Sequence, residues 1–387
     1  MSIKLAENSC TGCTTCAERC PQKCICMKPN DEGFLYPEID KTACVECGLC
    51  EKDCPVLHKP MRSHDKTVAY SAYSKDIDNR LSSSSGGIFS LLANEVLDDG
   101  GIVYGAAFDD CFNVHHIGVE TKDELGKLRG SKYVQSNLDN VFYNVKIALD
   151  SGRKVLFSGV ICQIAGLKAY LKCEYPNLFT VDVLCHGVPS PKLWRKYINY
   201  LEGIYGASVR RLSFRSKKYG WKTYSLSFAF SNNKEYTRIY NKDPYMQMYL
   251  QNICLRPSCY ECRFNEIDRL SDITLGDCWG IGKTMPDMDD DRGTSVVLIH
   301  SENGKDYFDK IKQHLIIQES EVDNVLPPNF GGRQAVKPHK NRTEFFARLA
   351  KGESFEKLHS LVVLPLYQRC WKKIKHLLKR IIQVFIK

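Results

Sequence analysis

The spacing of apolar and polar residues changes several times between residues 66 and 300, and each change predicts a different element. Short apolar runs predict buried strands at 102–108, 154–157, 178–184 and 295–300. Apolar residues at helical spacing predict helices at 88–97, 161–171 and 192–201. Strands that alternate with helices indicate an α/β core.

Residues 208–240 follow another pattern. The runs RRLSFRS, TYSLSFAF and EYTRIY read as antiparallel strands, with a polar turn at 231–233. The core is therefore expected to be mixed α/β rather than purely doubly wound.

The N-terminal sixty residues are set apart by cysteine, since ten of the chain's 19 cysteines precede residue 55. Two runs repeat the spacing of bacterial ferredoxins, in which three cysteines are followed by a fourth and a proline. The runs are Cys10, Cys13, Cys16 and Cys20, and Cys44, Cys47, Cys50 and Cys54. Because the fourth cysteine of each run serves the other cluster, we predict one 4Fe-4S cluster on Cys10, Cys13, Cys16 and Cys54. The second is predicted on Cys44, Cys47, Cys50 and Cys20. Zinc or disulfides are the alternatives, but zinc motifs normally come in pairs of ligands.

Composition agrees with a redox role. The chain has 387 residues and opens without a signal-peptide pattern, and it has no run of about 20 apolar residues. Cysteines in such a chain favour metal chemistry over disulfides, so a cytoplasmic location is expected. The net charge is +9, and residues 1–60 carry 7 Lys/Arg against 9 Asp/Glu. The remaining excess suits an anionic cofactor or a membrane surface, because no nucleic-acid motif is present.

Two loops of the core carry candidate phosphate-binding residues. Ser85, Gly86 and Gly87 run directly into a predicted helix, where free backbone N–H groups can hold a phosphate. Around Gly130 and Ser131, Arg129 or Lys132 could pair a pyrophosphate, and Tyr133 could stack on a ring system. An ordinary polar loop and a solvated turn with a core tyrosine are the alternatives.

Two strand-to-helix turns place further candidates at the edge of the sheet. Cys162 and Gln163 follow one predicted strand, and Cys185 and His186 follow the next. Ligands in α/β sheets bind beyond the carboxyl ends of strands. Either cysteine alone could equally be a buried structural thiol.

A third metal site is predicted at Cys254, Cys259 and Cys262. Iron–sulfur and zinc both suit three closely spaced cysteines. Cys185, Cys162 and Cys278 are the candidates for the fourth ligand, and Cys185 is our choice.

Several ordered segments together resemble the beta-subunit family of coenzyme F420-reducing hydrogenase and F420-linked formate dehydrogenase, with an N-terminal two-cluster ferredoxin domain. The segments that carry the resemblance are SSGG at 84–87, GSKYVQS at 130–136, CHGVPSP at 185–191, FRSK at 214–217 with Gly220 and Trp221, and SDITLGD at 271–277. Relatives include enzymes that reduce chlorophyll precursors and proteins from bacterial surface-polysaccharide gene clusters. The chain departs from the family at Val160 and Ile161, where the family usually has Thr and Pro.

The resemblance implies FAD, iron–sulfur clusters and hydride exchange with a small organic substrate, in a flavin-binding core. In that scheme a ferredoxin-like partner delivers electrons, His186 supplies a proton, and Arg215 or Lys217 holds an anionic group. The alternatives are a non-catalytic electron-transfer subunit of a hydrogenase or dehydrogenase complex, and a scaffold whose flavin site has decayed.

The expected organisation has four parts. These are a ferredoxin-like α+β domain at 1–60, the two beta-subunit regions at 66–150 and 151–330, and a helical basic tail at 331–387. Residues 55–66 read as a linker. From residue 368 the tail predicts a basic amphipathic helix, either on the inner face of an anionic membrane or docked on protein.

Overall fold

A computed structural model describes residues 7–60, 67–326 and 333–363. Its strands are β1 (Ile25–Pro29), β2 (Leu35–Ile39), β3 (Val68–Ser74), β4 (Ile102–Phe108), β5 (Val114–Val119), β6 (Val155–Val160), β7 (Leu178–Val183), β8 (Val209–Ser216), β9 (Ser225–Phe230), β10 (Glu235–Ile239), β11 (Ile273–Asp277), β12 (Ser295–Ile299) and β13 (Leu315–Ser320).

The α-helices vary from single turns to four turns. They are α1 (Thr15–Glu18), α2 (Leu49–Lys52), α3 (Ile77–Ser82), α4 (Ile88–Asp98), α5 (Val141–Asp150), α6 (Ile161–Leu171), α7 (Pro191–Tyr205), α8 (Pro244–Leu250), α9 (Glu302–Ile311), α10 (Val322–Val325), α11 (Arg342–Ala350) and α12 (Phe355–Ser360). A short 3-10 helix at Pro257–Glu261 also matters for the site.

An eight-stranded mixed sheet forms the centre of the molecule, in the order β13-β3-β12-β11-β7-β6-β4-β5. The four strands β11, β7, β6 and β4 are parallel to one another, and the outer strands are antiparallel to their neighbours. Each of the four predicted core strands and three predicted helices is present. The mixed α/β class is therefore confirmed, and the parallel centre brings several strand ends to one edge.

Strands β8, β9 and β10 form a separate antiparallel sheet, as the alternation predicted. The polar turn at 231–233 joins β9 to β10, and Asn233 adopts a left-handed backbone there. The inner face of this sheet packs on α7, where Trp194 and Tyr197 are fully buried.

The N-terminal segment packs directly on the core. Its hairpin β1–β2 carries Phe34, which is fully buried in the cluster that contains Trp194 and Phe346. Arg342 of α11 makes a two-pronged ion pair with Glu32 beside the hairpin. The first residues of the predicted linker, Pro55 and Val56, are buried, so they belong to the segment that packs on the core.

The tail prediction is tested only in part. Residues 333–363 contain α11 and α12, whereas the amphipathic segment from residue 368 lies outside the described residues. Among the described helices, none combines the length and the apolar character that crossing a membrane requires.

Candidate electron-transfer site

Cys10, Cys13, Cys16 and Cys54 form what we call the first thiol group. Burial raises the pKa of Cys13 to about 11, and the charges of Cys10 and Cys54 add to this effect. Burial also raises the pKa of Cys16, again with contributions from the other three. Thiols that oppose one another's ionisation need a cation between them to become thiolates together. The grouping is the one that the spacing predicts, and the ligand role stays a prediction.

The second thiol group comprises Cys20, Cys44, Cys47 and Cys50, and Cys24 lies within it. The Cys20 and Cys24 sulfurs are 3.4 Å apart. This hydrogen bond, together with burial and the charges of Cys20 and Cys44, raises the pKa of Cys24 to about 12. Cys47 is exposed, so this group faces solvent more than the first does.

The third thiol group is built from distant segments. Cys162 lies in the first turn of α6, Cys185 follows β7, and Cys259 and Cys262 lie in and after the 3-10 helix. Burial raises the pKa of Cys162 well above its usual value, followed by the charges of Cys185, Cys262, Cys259 and then Cys13. The third group therefore lies beside the first.

Cys254, which the sequence placed in the third site, lies elsewhere. It is fully buried among apolar residues, and its pKa is raised by burial without a contribution from another cysteine among the described residues. Its carbonyl accepts the Ser190 backbone N–H. Cys278 is buried in a separate apolar cluster against Ser71. Geometry thus brings Cys162, rather than Cys254, to Cys185, Cys259 and Cys262.

A cavity of about 640 Å³ opens at the carboxyl ends of β6, β7 and β11. Its wall includes residues 158–160, 183–189 and 275–277. Strand ends of a parallel sheet are where α/β proteins bind ligands. Cys185 lines this cavity and also belongs to the third thiol group, so the thiols and the cavity share a wall.

One end of the cavity offers hydrogen-bond donors. Gly87 precedes the first residue of helix α4, has a left-handed backbone (φ 86°) and supplies no side-chain cap. Residues 87–90 line the cavity, and the first N–H groups of an α-helix have no partner within the helix. The Nε atoms of Arg129 and Arg215 are buried without a hydrogen-bond partner among the described residues. Such donors suit an anionic group.

The other candidates in the serine–glycine loop have structural contacts. The Ser85 hydroxyl donates to the Thr294 carbonyl at 3.0 Å. A side chain at Gly86 would meet the Ala72 carbonyl oxygen at 2.5 Å, so glycine is needed for close packing on β3. Ser85 also lines the cavity, whereas Gly86 does not.

The predicted loop around Lys132 lines the cavity but is held internally. The Lys132 ammonium donates to the carbonyls of Leu128, Arg129 and Gly130, and burial lowers its pKa to about 7. This uses its three donors, so Arg129 is the better placed cation. Ser131 hydrogen-bonds Ser84, which fixes the two loops together.

Tyr133 stacks on protein rather than standing free. Its ring lies 4.8 Å from the Tyr249 ring, and its hydroxyl accepts a hydrogen bond from Arg215. Gln163 caps α6 by accepting the Val160 N–H at 2.9 Å, at the position where the family's threonine is missing.

His186 lies in the cavity wall with its Nε2 atom 2.6 Å from the Asn252 side-chain oxygen. The oxygen accepts, so Nε2 carries the hydrogen and Nδ1 is an acceptor. Burial lowers the pKa of His186, which favours this neutral form. A neutral ring of this tautomer can accept a proton at Nδ1.

Arg215 lies in strand β8 and Lys217 follows its last residue, and the two side chains have different roles. Arg215 lines the cavity, makes a two-pronged ion pair with Asp277, and lies over the Tyr224 ring at 4.1 Å. Lys217 donates to the carbonyls of Arg80, Ser85 and Arg292, and burial lowers its pKa to about 7. Lys217 therefore joins two loops and does not line the cavity.

Sequence reasoning missed several wall residues. His116 is buried, with Nε2 donating to the Ser158 carbonyl and Nδ1 2.7 Å from the Ser136 hydroxyl. Trp279 stacks on Trp221 with ring centres 4.5 Å apart. His116 comes from a strand, β5, that has no clear alternation, so no local signal pointed to it.

Grouped thiols beside a large cavity define an iron–sulfur electron-transfer protein. Residues 9–57 match the model of the 4Fe-4S dicluster domain, and residues 152–325 match the model of the carboxy-terminal part of the coenzyme F420 hydrogenase/dehydrogenase beta subunit. The resemblance to the coenzyme F420 hydrogenase/dehydrogenase beta-subunit family with an N-terminal ferredoxin domain is therefore confirmed over these two ranges.

One similar solved structure is a chain of the xenon-derivatised F420-reducing [NiFe] hydrogenase complex from Methanosarcina barkeri. It is 19% identical, with a TM-score of 0.46, and the match covers 78% of this chain and 91% of that chain. A comparison with curated proteins found no match.

Proposed function

We propose that the protein is an iron–sulfur flavoenzyme that passes electrons between ferredoxin-type clusters and FAD, and from there to or from a small organic substrate. The observation that carries the proposal is Cys185, which belongs to the third thiol group and lines the cavity. The third group therefore adjoins both the first group and the cavity. The proposed order of electron transfer is second group, first group, third group, cavity.

The donor set of the third group suits a cluster. All four donors are thiols, which are the usual ligands of a 4Fe-4S cluster, and the group lies beside the first thiol group, whose spacing predicts such a cluster. We therefore assign Cys162, Cys185, Cys259 and Cys262 to a third 4Fe-4S cluster.

The cavity has groups that suit the phosphates of FAD and a wall that could enclose the rest of the molecule. The first N–H groups of α4 and the Nε atoms of Arg129 and Arg215 would hold the phosphates. Ser85, Gln163 and His116 would line the remainder. When bound, the flavin supplies the conversion between single-electron and two-electron transfer.

His186 would act on the substrate side as a proton acceptor at Nδ1. Asn252 fixes its tautomer, and burial keeps the ring neutral. Arg215 would orient the phosphates rather than exchange protons, because Asp277 holds it charged. Lys217 would fix the loop that carries Ser85.

Anaerobic reconstitution, iron counting and identification of extracted flavin test this proposal. Three clusters predict about twelve iron atoms per chain, and two predict about eight. Fewer than eight irons together with no flavin would refute it. The reduced protein can then be mixed with deazaflavin F420 as an electron acceptor. If F420 does not oxidise the flavin but another compound does, the substrate is that other compound.

A second possibility is a non-catalytic electron-transfer role within a larger hydrogenase or dehydrogenase complex. It is favoured by the family description, which is that of a beta subunit. Native purification distinguishes the two, since a protein with this role should be isolated together with its catalytic partner. A role in surface polysaccharide biosynthesis is a further part of the proposal, which neighbouring glycosyltransferase genes would support.

A further inference from the structure

Arg256 is a fully buried guanidinium that has no carboxylate partner among the described residues. Its Nε donates to the Cys10 carbonyl at 2.7 Å and its Nη2 to the Leu35 carbonyl at 2.9 Å. Its Nη1 donates to the Gln135 side-chain oxygen at 3.0 Å. All these acceptors are neutral, so the positive charge itself is not neutralised by them.

The other deeply buried arginines near the site are paired. Arg269 pairs with Asp182, Arg215 with Asp277 and Arg80 with Asp290. An unpaired charge in a protein interior is strongly unfavourable, because water is lost and nothing replaces its stabilisation. Arg256 is the exception within the described part of the chain: besides its neutral acceptors it has the Tyr36 ring, 4.3 Å from its Cζ atom, and no carboxylate, so its charge suits an anionic group close by.

The position of Arg256 indicates where that charge lies. Its side chain holds the carbonyl of Cys10, in the first thiol group. Its main chain precedes Pro257 and the 3-10 helix, and the Cys259 N–H donates to the Arg256 carbonyl at 3.0 Å. Arg256 thus lies between the first and third thiol groups.

We propose that Arg256 is a positioning residue that serves as the shared counter-ion of two iron–sulfur clusters, those of the first and third thiol groups. This rests on the proposed function. A cube held by four thiolates is anionic and becomes more so on reduction, so a nearby positive charge favours the reduced state. The effect is large in a low-dielectric interior, and the rigid fork of the guanidinium also holds the two loops in register.

The matched control is Arg342, which also joins the N-terminal segment to the core but is paired with Glu32. The variants are Arg256→Gln, Arg256→Lys and Arg342→Gln, each in the full chain. Iron is counted first, and each cluster is then titrated anaerobically with dithionite and redox mediators while electron paramagnetic resonance follows the reduced signals.

Arg256→Gln is expected to disfavour the reduced states of the first and third clusters about tenfold, which is about 59 mV for a one-electron couple. The second cluster should be unchanged. Arg256→Lys, which keeps the charge but not the fork, should stay close to the wild-type potentials. Arg342→Gln should shift the potentials of the first and third clusters much less than Arg256→Gln does.

Full iron in Arg256→Gln with unchanged potentials would overturn the counter-ion role and leave the proposed function intact. A wild-type protein that lacks the third cluster would instead count against the proposed function. If Arg256→Gln loses iron, Arg256→Lys decides. If Arg256→Lys retains iron at wild-type potentials, the charge is required. Equal loss of iron in both variants would mean that Arg256 acts only through its hydrogen bonds.

Discussion

The N-terminal thiol groups and the third thiol group use the same side chain but are assembled in different ways. The first two groups come from two short cysteine runs that exchange their fourth members. The third is drawn from α6, the end of β7 and the 3-10 helix, which meet only because β6 and β7 are parallel neighbours. Local spacing therefore specifies the first kind of site, and sheet topology specifies the second.

The sharpest test of this contrast is the choice between Cys162 and Cys254. Cys162→Ser should remove about four of about twelve iron atoms, because one corner of the third cluster loses its thiolate. Cys254→Ser should retain them. Iron counting on anaerobically reconstituted proteins measures both.

Cys278→Ser is the matched control, since Cys278 is another buried thiol outside the group. Iron loss in Cys254→Ser but not in Cys162→Ser would reverse the assignment. It would also restore the ligand set that spacing alone suggested.

Arg215→Met should destabilise the cavity wall by about 3–5 kcal/mol, because it leaves the mostly buried Asp277 carboxylate without its partner. Urea unfolding of the holoprotein measures the loss, and flavin release should accompany it. The control is Arg211→Met on the exposed face of the same strand, expected within about 0.5 kcal/mol of wild type. Equal costs for the two variants would contradict the role given to Arg215.

Gly12 and Gly48 occupy equivalent positions in the two cysteine runs, and both have φ 71°. A methyl group at Gly48 meets nothing within 4 Å, whereas at Gly12 it meets Arg256 Nη1 and Gln135 Nε2, each at 2.9 Å. Gly48→Ala should therefore cost only backbone strain, about 1 kcal/mol. Gly12→Ala should cost about 1–3 kcal/mol more from overpacking.

Thermal unfolding of the two holoproteins compares these costs directly. A similar loss in both would mean that the first thiol group is packed against the core no more tightly than the second.

The smallest expected effect is a pH dependence at the contact between the N-terminal segment and the core. Glu18 accepts the Tyr143 N–H at the start of α5, and burial raises its pKa to about 7. A raised pKa gives stability that is complete at low pH and is lost as pH rises towards 7. Wild-type stability should thus fall between about pH 4.5 and 7 relative to Glu18→Gln.

Thermal midpoints of both proteins over that range measure the difference, with Glu46→Gln as an exposed control. Parallel curves for wild type and Glu18→Gln would remove the carboxyl group as the cause.

The fold could be predicted where the pattern is local and strong. The run at 102–108 gives β4 and the helical spacing at 161–171 gives α6, with the bounds observed. Strand β5 has two histidines and a glycine in six residues, so apolar alternation does not mark it. Cys254 was grouped with Cys259 because they are close in sequence, but the 3-10 helix that follows Arg256 separates their side chains.

The site, like the fold, could be predicted only where the signal is local in the sequence. Motifs located Ser85, Tyr133, Cys185 and Arg215 in one cavity wall without showing how they meet. What a side chain does there depends on its neighbours: Lys132 lines the cavity but donates to carbonyls of its own loop, and Lys217 donates to carbonyls without lining the cavity. Those neighbours come from distant segments, so spacing could not supply them.

The contact between the β1–β2 hairpin and α11 has a consequence for synthesis of the protein. Glu32 and Arg342 pair across 310 residues, and Phe34 is buried against Phe346. The hairpin therefore leaves the ribosome long before the helix that covers it. The nascent cysteine runs are therefore made well before the helix that covers them, so we expect stable cluster insertion to follow the synthesis of α11.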